Sequence, residues 1–128
     1  MSTPAAEPSP APLRVAIVGA ESTGKSVLAR ALADALAREF DLRCGIVAET
    51  LRDWCVERGR TPRIDEQMGI ALAHAARIAA AAARPGLDVL VCDTTPLMVA
   101  VYSDLLFDDH TLEPVARECQ RTMDATLL

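Results

Sequence analysis

Aromatic residues are scarce: Phe40, Trp54, Tyr102 and Phe107 are the only ones in 128 positions. Hydrophobic residues nonetheless make up 51% of the chain, so any core is expected to be aliphatic, built from Ala, Leu, Val and Ile. No apolar run approaches the ~18 residues of a membrane-crossing helix, and no membrane partner is expected. Basic residues are outnumbered, 13 Lys and Arg against 18 Asp and Glu, for a net charge of −5. That balance argues against a nucleic-acid binder, because phosphate backbones are held by clustered Lys and Arg. It leaves a nucleotide site open, since such a site needs only local dipoles and one or two cations. Cys44, Cys55, Cys92 and Cys119 form no C-x-x-C pair, so neither a zinc site nor a redox motif is indicated. Reduced thiols in a cytoplasmic protein are the simplest reading. There is no N-K-x-D guanine-reading motif, and Asp93-Thr94-Thr95-Pro96 is not D-x-x-G, which argues against a GTPase switch protein.

Four of the eight prolines fall in Met1–Leu13, a stretch that cannot bury a core and is expected to be a disordered tail. It lacks the charged start and apolar run of a signal peptide. Residues 14–128 are one domain's worth of chain. Within them, Leu13–Val18 is a nearly continuous apolar run, as in a strand covered on both faces. Lys25–Phe40 follows as a helix, with Leu28, Leu32, Leu36 and Phe40 on one face and Arg30, Asp34 and Arg38 on the other. Cys44–Ala48 predicts a second strand, and Leu51–Arg58 a helix ended by Gly59. Ile64–Arg84 predicts a long Ala-rich helix between Thr61-Pro62 and Pro85-Gly86. A third strand is expected at Asp88–Cys92, then a helix over Thr95–Phe107 with Pro96 in its first turn. A short helix at Thr111–Arg121 and a fourth strand beginning at Ala125–Leu128 complete the order. Strands alternating with helices in this way predict an α/β fold, a parallel sheet with helices on both faces. Because a parallel strand needs neighbours, the natural protein is expected to continue beyond Leu128.

Gly19-Ala20-Glu21-Ser22-Thr23-Gly24-Lys25-Ser26 matches the phosphate-loop pattern G-x-x-x-x-G-K-[ST], and it sits between an apolar strand and an amphipathic helix. Gly24 lets the backbone approach phosphate oxygens, and the loop N–H groups form an anion-binding concavity. The positive end of the helix dipole adds to it. Lys25 is expected to reach the β- and γ-phosphates of ATP, and the Ser26 hydroxyl to ligate Mg²⁺. The nucleotide-binding set is thus Gly19, Ala20, Glu21, Ser22, Thr23, Gly24, Lys25, Ser26 and Val27.

Asp93 ends the third apolar run. It has two readings: a Mg²⁺ or substrate ligand facing Ser26 at the strand ends, or only a cap for the helix near Thr95. Glu49 ends the second run, with Arg52 three residues on. The pair could accept a hydroxyl proton and offset charge on a transferring phosphoryl group, or be an exposed ion pair worth little. Trp54 and Tyr102 could stack on a planar ring, although core packing is the usual role of each. His74 reads as a surface or satisfied helix histidine outside catalysis.

The segments GAESTGKS (Gly19–Ser26), AETLRDW (Ala48–Trp54) and VCDTTPLMVAVYSDLLF (Val91–Phe107) together resemble the ribosylnicotinamide kinase domain of NadR-type bacterial proteins and their AAA-family ATPase relatives. The similarity covers about Leu13–Leu128. It implies ATP-dependent phosphorylation of the 5′-hydroxyl of nicotinamide riboside. Lys25 and Ser26 would serve ATP, Asp93 the metal or ribose, and Glu49 and Arg52 the acceptor side, with Glu49 or Asp93 as base. Two departures stand out. The glutamine often found on the helix at Ala71–Ile78 is missing there, and the chain ends before the family's arginine-bearing lid and adenine-contacting segment. No nucleotidyltransferase or helix-turn-helix segment is present in the sequence. An ATP-binding regulatory module without a small-molecule acceptor, or a kinase for another nucleoside, is the alternative expectation.

Overall fold

The computed structural model describes residues 11–19 and 24–128. Most of the Pro-rich tail, through Pro10, and the loop residues Ala20–Thr23 lie outside the described residues. The elements in chain order are β1 (Leu13–Ile17), α1 (Lys25–Phe40), β2 (Cys44–Val47), α2 (Thr50–Arg58), a 3₁₀ turn (Ile64–Glu66), α3 (Gln67–Ala82), β3 (Val89–Asp93), α4 (Pro96–Phe107), α5 (Glu113–Arg121) and β4 (Ala125–Leu127). The four strands form one parallel sheet in the order β2-β3-β1-β4.

β3 is central and buried along its whole length. Its side chains alternate between the two faces, as the pleat requires. Val89 and Val91 join Ile17, Ala29 and Ala33 under α1. Leu90 and Cys92 join Val47, Ile78, Ala81 and Cys119 on the other face, under α3 and α5. A third cluster, around Ile70, Ala71, Val99, Ala100, Leu112 and Ala116, packs α3, α4 and α5 together. The core is therefore aliphatic and covered on both faces, as the composition requires. All four cysteines are free. Burial raises the thiols of Cys92, to about 12, and Cys119.

α1 spans the expected residues but turns a different face inward. Ala29 and Ala33 are buried, Leu32 and Leu36 pack beside them, and Leu28 and Phe40 are exposed. The buried alanines set the face that lies against Ile17, Val89 and Val91, so the leucine ladder is split between core and solvent.

The long Ala-rich segment is also divided. A 3₁₀ turn occupies Ile64–Glu66, and the α-helix begins at Gln67. Glu66 accepts both guanidinium nitrogens of Arg60, at 2.7 and 2.9 Å, and the Arg63 N–H at 2.9 Å. The Arg60 hydrogen bonds, helped by the Arg63 backbone, hold the Glu66 carboxyl at about 2. Gly59 ends α2 as expected, with φ +68° and its N–H bonded to the Cys55 carbonyl at 2.8 Å. Among the described residues, no helix is long and apolar enough to cross a membrane.

Candidate functional site

β1 and β3 are sheet neighbours with Ile17 opposite Asp93. The loop after β1 and the carboxylate at the end of β3 therefore emerge side by side, at the carboxyl edge where open α/β sheets bind ligands. Gly24 opens α1 with φ +82°, a left-handed conformation costly for other residues. A Cβ there would meet nothing within 4 Å, so the backbone angle calls for glycine and not a shortage of space. Lys25 and Ser26 then fall in the first turn of α1, with Lys25 buried at 6% exposure.

The Ser26 hydroxyl donates to Asp93 Oδ2 at 2.6 Å and accepts from Arg52 Nη1 at 2.7 Å. Arg52 Nη2 lies 3.2 Å from Glu49 Oε2. The four polar residues singled out on β3, α1 and the β2–α2 corner thus form one chain: Glu49, Arg52, Ser26, Asp93. The Glu49–Arg52 pair is half exposed: Glu49 is buried at 3% exposure, and the Arg52 side chain is 46% exposed.

Asp93 does not cap α4. Thr95 does, accepting the Leu97 N–H on its hydroxyl at 3.3 Å and donating that hydroxyl to Gln120 Oε1 at 2.9 Å. Asp93 Oδ1 is buried and has no hydrogen-bond partner among the described residues. The next residue, Thr94, has φ +66°, an outlier for a β-branched side chain, and its hydroxyl is also buried with no partner among the described residues. Such strain costs roughly 1–3 kcal/mol and gathers at ligand sites. The Thr94 N–H donates to the Ile17 carbonyl at 2.8 Å, which fixes the strained residue to the end of β1.

These donors suit a hard cation. Asp93 Oδ1 is an unclaimed carboxylate oxygen, and Ser26 Oγ, with one hydrogen bond given and one accepted, keeps a lone pair. Mg²⁺ takes oxygen ligands of this kind and typically few from protein.

Beside Arg52 lies a largely apolar cavity of about 370 Å³, lined by Leu51, Arg52, Cys55, Val56, Thr61, Pro62, Gln67, Tyr102 and Leu106. Tyr102 is thus a wall of this cavity. Trp54 is not, because Arg58 and Arg60 cover its ring at 4.5 and 5.0 Å from the centroid. Gln67 escaped the sequence reading. It is 3% exposed, with Nε2 donating to the Pro62 carbonyl at 3.3 Å. It stands one turn before the Ala71–Ile78 stretch, and the signal for it was a single amide opening an otherwise apolar helix. His74 is fully buried rather than on the surface, and its Nδ1 accepts the Thr50 N–H at 3.4 Å. Val27, the next residue of α1, is 75% exposed. Ala20, Glu21, Ser22 and Thr23 lie outside the described residues.

A parallel sheet with a phosphate loop after its first strand and a carboxylate at the end of the neighbouring strand defines a P-loop nucleotide-binding α/β domain. The family model described as AAA domain matches residues 14–128, and the chain belongs to that family. A search of curated proteins finds no match to the chain.

Proposed function

We propose that this domain is an ATP-dependent small-metabolite kinase whose acceptor is the 5′-hydroxyl of nicotinamide riboside, in NAD biosynthesis. The observation that carries the reading is the position of the Glu49–Arg52–Ser26–Asp93 chain. Its Ser26 lies in the first turn after the phosphate loop, and Arg52 lines a cavity of about 370 Å³, which is the size of a nucleoside site. The Gln67 amide, Tyr102 ring and apolar walls suit a planar base carrying an amide.

In this reading Gly19–Ser26 holds the ATP phosphates through backbone N–H groups, and Lys25 offsets charge on the β- and γ-phosphates. Ser26 and Asp93 would hold Mg²⁺, which when bound would neutralise phosphate charge. Arg52 is placed to follow the γ-phosphoryl group while Glu49 fixes its guanidinium. Glu49 or Asp93 takes the proton from the acceptor hydroxyl. The hydroxyl oxygen bonds to the γ-phosphorus, the β,γ-bridging P–O bond breaks, and ADP leaves. The protein's contribution is positioning and charge stabilisation.

The test is incubation of the chain with Mg²⁺·ATP and nicotinamide riboside, with nicotinamide mononucleotide followed by mass spectrometry and Lys25→Ala as the blank. Product above the blank is expected. ATP turnover that no nucleoside stimulates would instead favour a regulatory ATP-binding module. Product with another nucleoside alone would move the acceptor while keeping the chemistry.

A further inference from the structure

Among the described α-helices, α2 alone has no buried residue. Leu51 and Trp54 pack against the cluster around Ile70, Ala71 and Val99, but both stay only partly buried, and the helix carries Arg52. Its first turn is also held by two polar side chains on α3. His74 Nδ1 accepts the Thr50 N–H at 3.4 Å. One turn further on, Arg77 Nη1 donates to Thr50 Oγ1 at 3.0 Å and lies 3.5 Å from Asp53 Oδ2. Thr50 directly follows Glu49 and stands two residues before Arg52.

Because Nδ1 accepts, the proton of the neutral ring sits on Nε2. The side chain has 0% exposure, and although the Thr94 backbone favours a protonated ring, Nε2 closes no hydrogen bond of good geometry among the described residues. An aliphatic residue would fill this volume without leaving a buried donor unsatisfied. The acceptor at Nδ1 is what an aliphatic residue could not provide.

We infer that His74 is a positioning residue: its Nδ1 anchors the first turn of α2 and so holds Glu49 and Arg52 against Ser26 and Asp93. As a part of phosphoryl transfer this rests on the proposed function, whereas the anchoring of α2 does not.

The experiment compares wild type, His74→Ala and His74→Asn by hydrogen exchange of the full chain, with phosphoryl transfer measured in parallel. Both substitutions remove the ring, but the asparagine Oδ1 can stand near the position of Nδ1. Exchange of Thr50–Val56 is read relative to Val89–Asp93 in the same protein, which removes any global loss of stability. Loss of one hydrogen bond is expected to speed relative exchange in α2 about tenfold in His74→Ala, with His74→Asn close to wild type. Turnover is expected to fall by a similar factor, about tenfold, in His74→Ala at nearly unchanged KM for ATP, and to recover in His74→Asn. An unchanged exchange ratio in His74→Ala, or an asparagine chain as loose as the alanine chain, would overturn the inference and leave His74 as core filling. If the alanine chain does not fold, His74→Leu replaces it, since leucine fills the space without an acceptor. If wild type transfers no phosphoryl group, the proposed function fails and the exchange ratio alone decides the role of His74.

Discussion

Replacing Asp93 by Asn should separate folding from ligand binding. Among the described residues Asp93 accepts one short hydrogen bond, from Ser26, and keeps a second buried oxygen without a partner. The charge-assisted bond is worth about 1.5–3 kcal/mol. Against it stands the desolvation of a carboxylate that is 4% exposed, which costs several kcal/mol per buried ion. Asparagine can still accept from Ser26, so free-chain stability is expected to hold or rise. Nucleotide binding should respond in the opposite direction. Wild type with Mg²⁺·ADP at about 100 times its Kd gains about 2.7 kcal/mol. At roughly 4 °C per kcal/mol, that is a Tm rise of about 10 °C. A hundredfold loss of Mg²⁺-nucleotide affinity at the same concentration leaves about 0.4 kcal/mol, or a rise of about 2 °C. The assay is a thermal melt of both chains with and without Mg²⁺·ADP, repeated with EDTA. A free Asp93→Asn chain destabilised by about 2 kcal/mol or more, with the Mg²⁺·ADP shift intact, would show that Asp93 is a structural anchor and refute its place in the metal site.

Lys25→Ala should reduce phosphoryl transfer to background; turnover at the wild-type rate would remove the phosphate loop from the mechanism. Thr94→Val exchanges a buried, unpartnered hydroxyl for a methyl group, and should hold or raise free-chain stability by up to about 1 kcal/mol in urea melts while weakening ligand binding. A loss larger than that would mean the hydroxyl has a structural partner. The His74 ring has its pKa lowered to about 4, chiefly by burial and also by Arg77, against the Thr94 backbone and the Asp93 carboxylate, which raise it. The unfolded chain takes up this proton near pH 6.5 and the native chain only near pH 4. Its contribution to stability is therefore intact above about pH 6.5 and declines as pH falls toward 4, by about 3 kcal/mol in all. Denaturant melts at pH 7.5, 6 and 5 should show the decline in wild type and a flatter profile in His74→Asn.

The architecture was legible because each signal was local and came in its expected context. The apolar runs became strands, and the phosphate-loop pattern fell between a strand and a helix. Asp93 was placed at the carboxyl edge by the strand that precedes it. Where the reading went astray, tertiary geometry decided. Leu28, Leu32, Leu36 and Phe40 on α1 outweighed Ala29 and Ala33 in the pattern, yet the alanines take the buried face. His74 looked isolated because its partner, Thr50, lies 24 residues away on a different helix. Gln67 was absorbed into a helix expected to start at Ile64, so its place at a cavity wall was hidden. The left-handed angle at Thr94 leaves no trace in the residue type, since glycine, asparagine or aspartate, as at Asp41 and Asp108, ordinarily signals it.

The features at Thr94 and Asp93 share a physical character. A strained β-branched residue, a lone carboxylate oxygen and a buried unpartnered hydroxyl lie on two consecutive residues at the end of the central strand. Each opposes folding, and together they cost several kcal/mol in a domain whose net stability is expected to be about 5–15 kcal/mol. The free chain can carry that cost because β3 is buried on both faces and the loss is confined to its last residue and the one that follows. None of the three serves the core, because the clusters around β3 end at Cys92. A ligand that supplied a cation and oxygen partners at this edge would satisfy the carboxylate and the hydroxyl at once. Substitutions that make this edge more comfortable in the free chain, at Asp93 or Thr94, should therefore reduce what the ligand can add to stability.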